Sequence, residues 1–422
     1  MKFLKFLVPC TMVALAACMA ACEDDNSGLS PEGGSASGLT PDENKEKFES
    51  IASEVVAQFE PTDHEALLTA VNDFCWFSDY GYLEVDRDEF RSASTLMKAL
   101  GDVCGKNNLG KMLLFAGANS DLYRAAQYYG IYTYANGTWS KSPSNDRLEF
   151  NFTTQDNRKV KFSATTSGSE VIFWKSTDDG ETLAVPEHAS ATVTVNGSEV
   201  CNLTMNAQLN AAAKTANIEV SLNASGYIFA CNVNATPNKA TANFNMSKNG
   251  TNIISGNADV TGQRMTDPTE ADEDNPQNLF NNASSRVNIL DDAYVTASCS
   301  NIKGLVDQLD AIDAKYDWTQ DEQCYKEQAI AVNNAVDVNL YYTTSSAVVA
   351  SLEAHAYISN TYYNSYNGQT IEYWDLESII VFDDGSKYSL DEYFDDEVTF
   401  GDLIDSYDEL EHQYRDYLDY FE

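Results

Sequence analysis

Apolar residues recur at three- and four-residue intervals near the start of the folded chain. Phe48, Ile51, Ala52, Val55, Val56 and Phe59 form one stripe, so an amphipathic helix is predicted there. Pro61 is expected to end that helix. Thr62-Asp63-His64-Glu65 has the spacing of a capping box, with Thr62 as N-cap, and opens a second helix through Leu67, Leu68, Val71 and Phe74. A third helix is predicted over 88–103. From about residue 126 the period drops to two. Asn136-Gly137, Asn196-Gly197 and Asn249-Gly250 punctuate the alternating runs, and Asn-Gly tolerates the positive φ angles of two-residue hairpins. Strands are predicted at 147–154, 159–166, 170–175, 191–195, 199–209, 217–224, 226–235, 240–247 and 252–260.

The alternation assigns faces. Cys201, Leu203, Met205, Ala207 and Leu209 share one side of a strand, as do Ile218, Val220 and Leu222 on the next. Their opposite sides carry Asn, Thr and Ser, so one face is expected to be buried and the other solvated. Further on, Ser300 or Asn301 caps a helix through Leu305, Val306, Leu309 and Ile312. A helix over 319–335 follows, then strands at 336–343, 347–358 and 370–382. A capping box at Ser389–Glu392 and an amphipathic terminal helix through Phe400, Leu403, Ile404 and Tyr407 complete the chain. The fold class is α+β: a large antiparallel sheet of about eight or nine mid-chain strands, packed with N-terminal and C-terminal helices.

The first residues have a different pattern. Lys2 and Lys5 precede an apolar run over 6–17, of signal-peptide length and too short to span a bilayer. Two small-small-Cys sites follow, Ala16-Ala17-Cys18 and Ala20-Ala21-Cys22, and Glu23-Asp24-Asp25 stands behind the second. This stretch resembles the lipobox of bacterial lipoproteins, and the acidic run resembles the surface-export signal of outer-membrane lipoproteins in Bacteroides-like bacteria. The resemblance covers only the first 25 or so residues. It implies lipidation of Cys22, with Cys18 as the alternative, and a lipid-anchored protein of the outer membrane facing the cell surface. The organisation expected is a signal peptide at 1–21 and a flexible acidic Gly/Ser/Pro tether at 22–43. A helical segment at 44–125, a β-region at 126–266, an acidic boundary at 267–286 and an α+β region at 287–422 follow.

A formal net charge of −39 repels phosphate backbones, so no nucleic-acid partner is expected. The expected membrane contact is the N-terminal lipid alone. Export permits disulfides; Cys75 with Cys104 and Cys299 with Cys324 are close enough in sequence to bridge. In a simple meander Cys201 and Cys231 lie two strands apart, about 9.5 Å, beyond disulfide reach.

None of the four histidines sits at metal-ligand spacing, and no nucleophile elbow, phosphate loop or dinucleotide fingerprint is present. No cofactor and no enzymatic activity are expected. Asp267, Asp272 and Asp274 could offer oxygens to Ca²⁺, but without EF-hand spacing. The aromatics carry more. Tyr341, Tyr342, Tyr357, Tyr362, Tyr363, Tyr366, Tyr373 and Trp374 crowd a short stretch. Tyr362, Tyr363 and Trp374 are the candidate contacts for a protein or glycan partner at the cell surface. The function expected is binding or scaffolding without catalysis. The alternative is a carrier holding a hydrophobic or lipid ligand between sheet and helices. The sequence leaves oligomeric state open.

Overall fold

The structure, a computed structural model, describes residues 39–80, 122–123, 129–175, 182–210, 212–266, 275–316, 321–344, 347–364, 368–394 and 397–417. The expected lipidation sites Cys18 and Cys22, the tether before residue 39, the third helix, Cys104, and Asp267, Asp272 and Asp274 lie outside them.

The chain is α+β, and antiparallel sheet dominates it. Helices are α1 (Pro41–Val56), α2 (Pro61–Tyr80), α3 (Ile302–Asp313), α4 (Asp321–Ala335), α5 (Leu390–Phe394) and α6 (Glu397–Arg415). Strands are β1 (Leu122–Tyr123), β2 (Gly130–Ala135), β3 (Thr138–Ser142), β4 (Leu148–Thr153), β5 (Lys159–Lys175) and β6 (Thr182–Val195). They continue with β7 (Ser198–Asn210), β8 (Thr215–Ala224), β9 (Tyr227–Thr236), β10 (Lys239–Lys248) and β11 (Thr251–Gly262). The last are β12 (Phe280–Ile289), β13 (Ala293–Ser300), β14 (Val336–Tyr342), β15 (Val348–Asn364), β16 (Gln369–Phe382) and β17 (Lys387–Ser389). The expectation of eight or nine strands was too low. The difference arises partly because β12, β13 and the C-terminal strands extend the antiparallel pairing well past the mid-chain region.

Two compact units divide the described chain. One comprises the described residues within 55–255, 265–266 and 405–417; the other comprises those within 39–54, 256–264 and 275–404. In the first, β4 through β10 pair antiparallel in sequence order, while β2 lies parallel to β4 and antiparallel to β3. The Asn-Gly hairpins form as expected: Asn136, Asn196 and Asn249 take φ of 54°, 51° and 52°, each followed by a glycine at positive φ. Segments 159–166 and 170–175, expected as separate strands, are one strand. Gly168, at φ 85°, lies where the pairing shifts register, so the chain bulges without breaking.

The core of this unit is aromatic. On α2, Phe74 stands 5.0–6.0 Å from the ring centres of Trp139, Phe150, Phe152 and Phe162, and Phe77 stacks on Tyr134 at 4.4 Å. The Trp139 indole N–H donates to Phe77 O at 3.0 Å. The helix begins at Pro61, so Thr62 is not its N-cap. Proline fits the first helical position because its φ is preset and its missing N–H has no helical partner there.

Tyr227 pins the turn between α1 and α2. Its hydroxyl donates to Gln58 O at 2.6 Å and accepts from Glu60 N at 3.0 Å. Lys248 Nζ also donates to Gln58 O at 2.9 Å and pairs with Asp63 at 3.0 Å. The His64 ring lies 4.4 Å from Tyr227 and 5.9 Å from Tyr414. Burial pulls the His64 pKa below its ordinary value; Asp63 opposes this and Lys248 adds to it. The Asp63 carboxyl is held low chiefly by its hydrogen bond from Lys248. Both groups have depressed folded pKa values, so both favour the fold at neutral pH and lose that contribution as pH falls. His64 acts first, below about pH 6.5. Urea midpoints measured from pH 7.5 to 5 should decline, and His64→Gln should flatten the decline. An unchanged slope in the variant would refute this assignment.

In the second unit, β12 through β17 pair antiparallel in sequence order, with α3 and α4 inserted between β13 and β14. Helix α1 begins earlier than the expected boundary at 44. Thr40 and Glu43 make the reciprocal capping box, Thr40 N donating to Glu43 Oε2 at 2.7 Å and Glu43 N to Thr40 Oγ1 at 3.3 Å. The fully buried Asn44 accepts from the Tyr342 hydroxyl at 2.9 Å, and Phe48 packs on Tyr342 and Tyr393. Burial pushes the Tyr342 and Tyr393 hydroxyls far above the usual tyrosine range. Of the two expected caps, Asn301 is the one that caps α3, accepting from Gly304 N at 3.2 Å. The expected boundary at 267–286 overlaps a short 3-10 turn at Pro276–Leu279 and the start of β12 at Phe280.

Candidate functional site

Strand β15 runs to Asn364, past its expected end at 358, while β16 keeps close to its expected span, and the longer β15 creates the candidate site. They pair from Ala350–Phe382 out to Asn364–Gln369. On one side, β14 pairs with β15 only through residues 348–351. On the other, β17 pairs with β16 only through 379–381. Among the described pairings the outer part of the hairpin is therefore a two-stranded arm. Such an arm is marginal alone and needs packing support.

Helix α4 supplies that support at the base. The Asn333 side chain donates to Ala354 O at 3.1 Å and accepts from Ala354 N at 2.8 Å. One amide thus satisfies the edge of β15 as a neighbouring strand would. Further out, Lys326 Nζ sits 5.1 Å over the Trp374 ring, and His355 faces Glu377 across the strands at 3.0 Å. A register shift at Ile358–Asn360 then bends the arm.

Beyond that bend the side chains enter solvent. Tyr362 is 53 % exposed, Tyr363 63 %, Tyr373 44 % and Ile358 43 %. Tyr362 lies opposite Ile371, two residues from Tyr373 on β16, so these three share one face. Tyr363 lies opposite Thr370 on the other face, toward the half-buried Trp374. The structure therefore separates the sequence candidates. Tyr362 and Tyr363 are both presented, on opposite faces, and Trp374 is a supporting residue under Lys326. Ile358 and Ile371 complete the surface; the sequence reading missed them because single isoleucines in a strand look like core.

Two further aromatics of that stretch have structural work, while Tyr366 lies outside the described residues. Tyr342 is core. Tyr341 stacks on Tyr294 at 4.7 Å, and the Arg286 guanidinium lies 3.6 Å over Tyr294, giving a three-strand ladder. The expected Cys299–Cys324 bridge is not formed. Cys324 is a thiol that donates to Asp313 Oδ1 at 3.4 Å, and burial with that carboxylate pushes its pKa up to about 11. Cys299 is buried on β13 opposite Val336. Cys75 lies on α2, and its expected partner falls outside the described residues. Cys201 and Cys231 are two strands apart, as expected, because Cys201 pairs with Ala224 and Cys231 with Val220.

No group of three or more His, Cys, Asp or Glu side chains is arranged to hold a metal among the described residues. An open groove of about 330 Å³ lies in the first unit, beside Asn151, Phe152, Lys161 and Thr194. Its lysines and its openness to solvent do not suit an acyl chain. No described helix is long and apolar enough to cross a membrane. Comparison with protein-family models, with curated proteins and with solved structures finds no match.

Proposed function

We propose that this chain is a lipid-anchored envelope protein that binds a protein partner at the cell surface through the β15–β16 arm, without catalysis. One observation carries the reading. Four large apolar side chains stand in solvent on an arm whose outer part has no further strand beside it among the described pairings. Surface apolar residues scattered singly need no explanation, but exposed apolar residues on both faces of one two-stranded element mark it as a contact element. Tyrosine suits that role, with a large apolar body, a polar tip and little rotamer entropy to lose. The lipobox-like stretch supplies the address.

The test places a photocrosslinking residue at Tyr363 or Tyr373 in cells, with Glu409 on α6 as a control site outside the arm. A discrete adduct from the arm alone is expected. The partner purified from it should bind the Tyr362→Ser/Tyr363→Ser/Tyr373→Ser variant at least about tenfold more weakly, since central aromatic contacts commonly contribute 2 kcal/mol or more each. Equal binding by wild type and variant would sink the reading. Cys22→Ala should release the protein from the membrane fraction.

A carrier of a hydrophobic ligand is the second reading. It is favoured by Leu203, Leu222 and Phe229, which align across β7, β8 and β9 on the apolar face yet are only half-buried. Native mass spectrometry separates the two: a co-purifying acyl lipid of defined mass favours the carrier, and a bare protein mass opposes it.

A further inference from the structure

The solvent face of β6–β10 is chemically unlike the rest of this acidic protein. Strand register aligns its side chains into rows, one of which runs His188, Asn206, Glu219, Asn232, Asn243 across five strands. The neighbouring rows, from Thr192 and Asn202 at one end to Asn234 and Thr241 at the other, add asparagine, serine, threonine, Gln208, Ala230 and Ile228. Glu219 is the one carboxylate within these rows, and they hold no lysine or arginine; Glu199 and Lys239 lie at the margins. A merely solvated surface of this chain looks different. On α6, Asp402, Asp405, Asp408, Glu409 and Glu411 crowd a few turns.

The amides and hydroxyls are held in place. His188 Nδ1 lies 2.8 Å from Asn206 Oδ1, Asn217 Nδ2 donates to Asn234 Oδ1 at 2.7 Å, and Asn234 Nδ2 donates to Asn232 Oδ1 at 2.6 Å. Beside the small Ala230, Asn245 keeps a shielded side-chain oxygen with no hydrogen-bond partner among the described residues.

We infer that this face binds a neutral polysaccharide. The strands set a grid of about 4.7–4.9 Å across the sheet and roughly 6.8 Å along it. Each asparagine offers donors and an acceptor, and each hydroxyl offers both. A sugar chain presents the same mixture, so its hydroxyls can exchange water for fixed partners. Charged side chains would instead carry a desolvation cost with no counter-charge to offset it. An anionic glycan is repelled by the net charge of −39. A protein partner would want an apolar centre, and the large apolar residue exposed on this face is Ile228 alone.

The test is affinity gel electrophoresis of the full-length protein in detergent. The gels contain soluble starch, yeast mannan or mixed-linkage β-glucan, with polygalacturonate as the charged control. Retardation by at least one neutral polymer and none by polygalacturonate is expected. The Asn206→Asp/Asn232→Asp/Asn243→Asp variant should weaken that binding at least tenfold. If circular dichroism shows the triple variant unfolded, Asn243→Asp alone, on the exposed part of β10, gives the reading and should weaken binding measurably. The hairpin variant Tyr362→Ser should bind glycan as wild type does, which keeps this result independent of the partner proposed for the arm. Absence of retardation by all three neutral polymers overturns the inference. So does unchanged retardation of a folded aspartate variant, or loss of retardation in Tyr362→Ser.

Discussion

Phe74→Ala is expected to destabilise the unit built on β2–β10 by about 3 kcal/mol, the lower end for a phenylalanine truncation because this ring is half-buried. The effect is concentrated because one ring meets four others. Phe74 fills the space between Trp139 on β3, Phe150 and Phe152 on β4, and Phe162 on β5, with three of the four contacts edge-on. Removing it costs the transfer free energy of the ring and leaves a gap that three strands must collapse into. Edge-to-face geometry adds something beyond area for each ring lost. In a unit of this size the melting temperature should fall by roughly 6–12 °C. The change should be visible both calorimetrically and in the fluorescence of Trp139, whose indole reports on the Phe77 carbonyl beside it. Phe74→Leu should lose less, since it refills part of the gap. A melting temperature within about 2 °C of wild type for the alanine variant would mean that α2 is not the lid of this core.

Much of this architecture was legible because it rests on local rules. Asn-Gly pairs at 136, 196 and 249 fix hairpin turns through φ preference, and strict alternation from Cys201 to Val233 fixes which face is apolar. Both depend on near neighbours in sequence, and both hold in the structure. The errors fall where distant residues decide. Nothing local distinguishes a bulge at Gly168 from a break between strands; pairing with β6 carries β5 through it. Nothing local marks β15 as reaching Asn364, because among the described pairings its outer half is held by β16 alone and its base by Asn333 on a helix. The cysteines follow the same logic. Sequence proximity favoured Cys299–Cys324, whereas the strand buries Cys299 against Val336 and the helix turns Cys324 toward Asp313.

The candidate site was half legible for a related reason. Tyrosine density pointed to the β15–β16 hairpin that carries the candidate site, but exposure could not be read from it. Within one stretch Tyr342 is fully buried, Tyr341 is stacked in a ladder and Tyr363 stands in solvent. What separates them is where neighbouring strands stop. The neutral face of β6–β10 was visible in outline as Asn, Thr and Ser opposite the apolar positions. Its near-absence of charge became meaningful only once register placed those residues in rows.

Tyr227→Phe is expected to cost about 1–3 kcal/mol, although it deletes a single oxygen. That oxygen joins the α1–α2 turn to β9 by accepting from Glu60 N and donating to Gln58 O, with the Asp63 carboxylate 3.3 Å away. Gln58 O keeps a second donor in Lys248, so its loss is small. Glu60 N loses the partner that Tyr227 provides, and this part-buried backbone donor carries the larger share of the penalty. The ring survives, and with it the stacking of Phe59 at 5.8 Å and of His64 at 4.4 Å. Tyr227→Ala removes these too and should cost about 3–5 kcal/mol. Urea titration of both variants separates the hydroxyl from the ring, and the double variant with Lys248→Met tests the shared carbonyl. If the two substitutions are coupled through Gln58 O, the double variant should destabilise by more than the sum of the singles, because each single leaves that carbonyl one donor. Strict additivity would show instead that the tyrosine acts through Glu60 N alone.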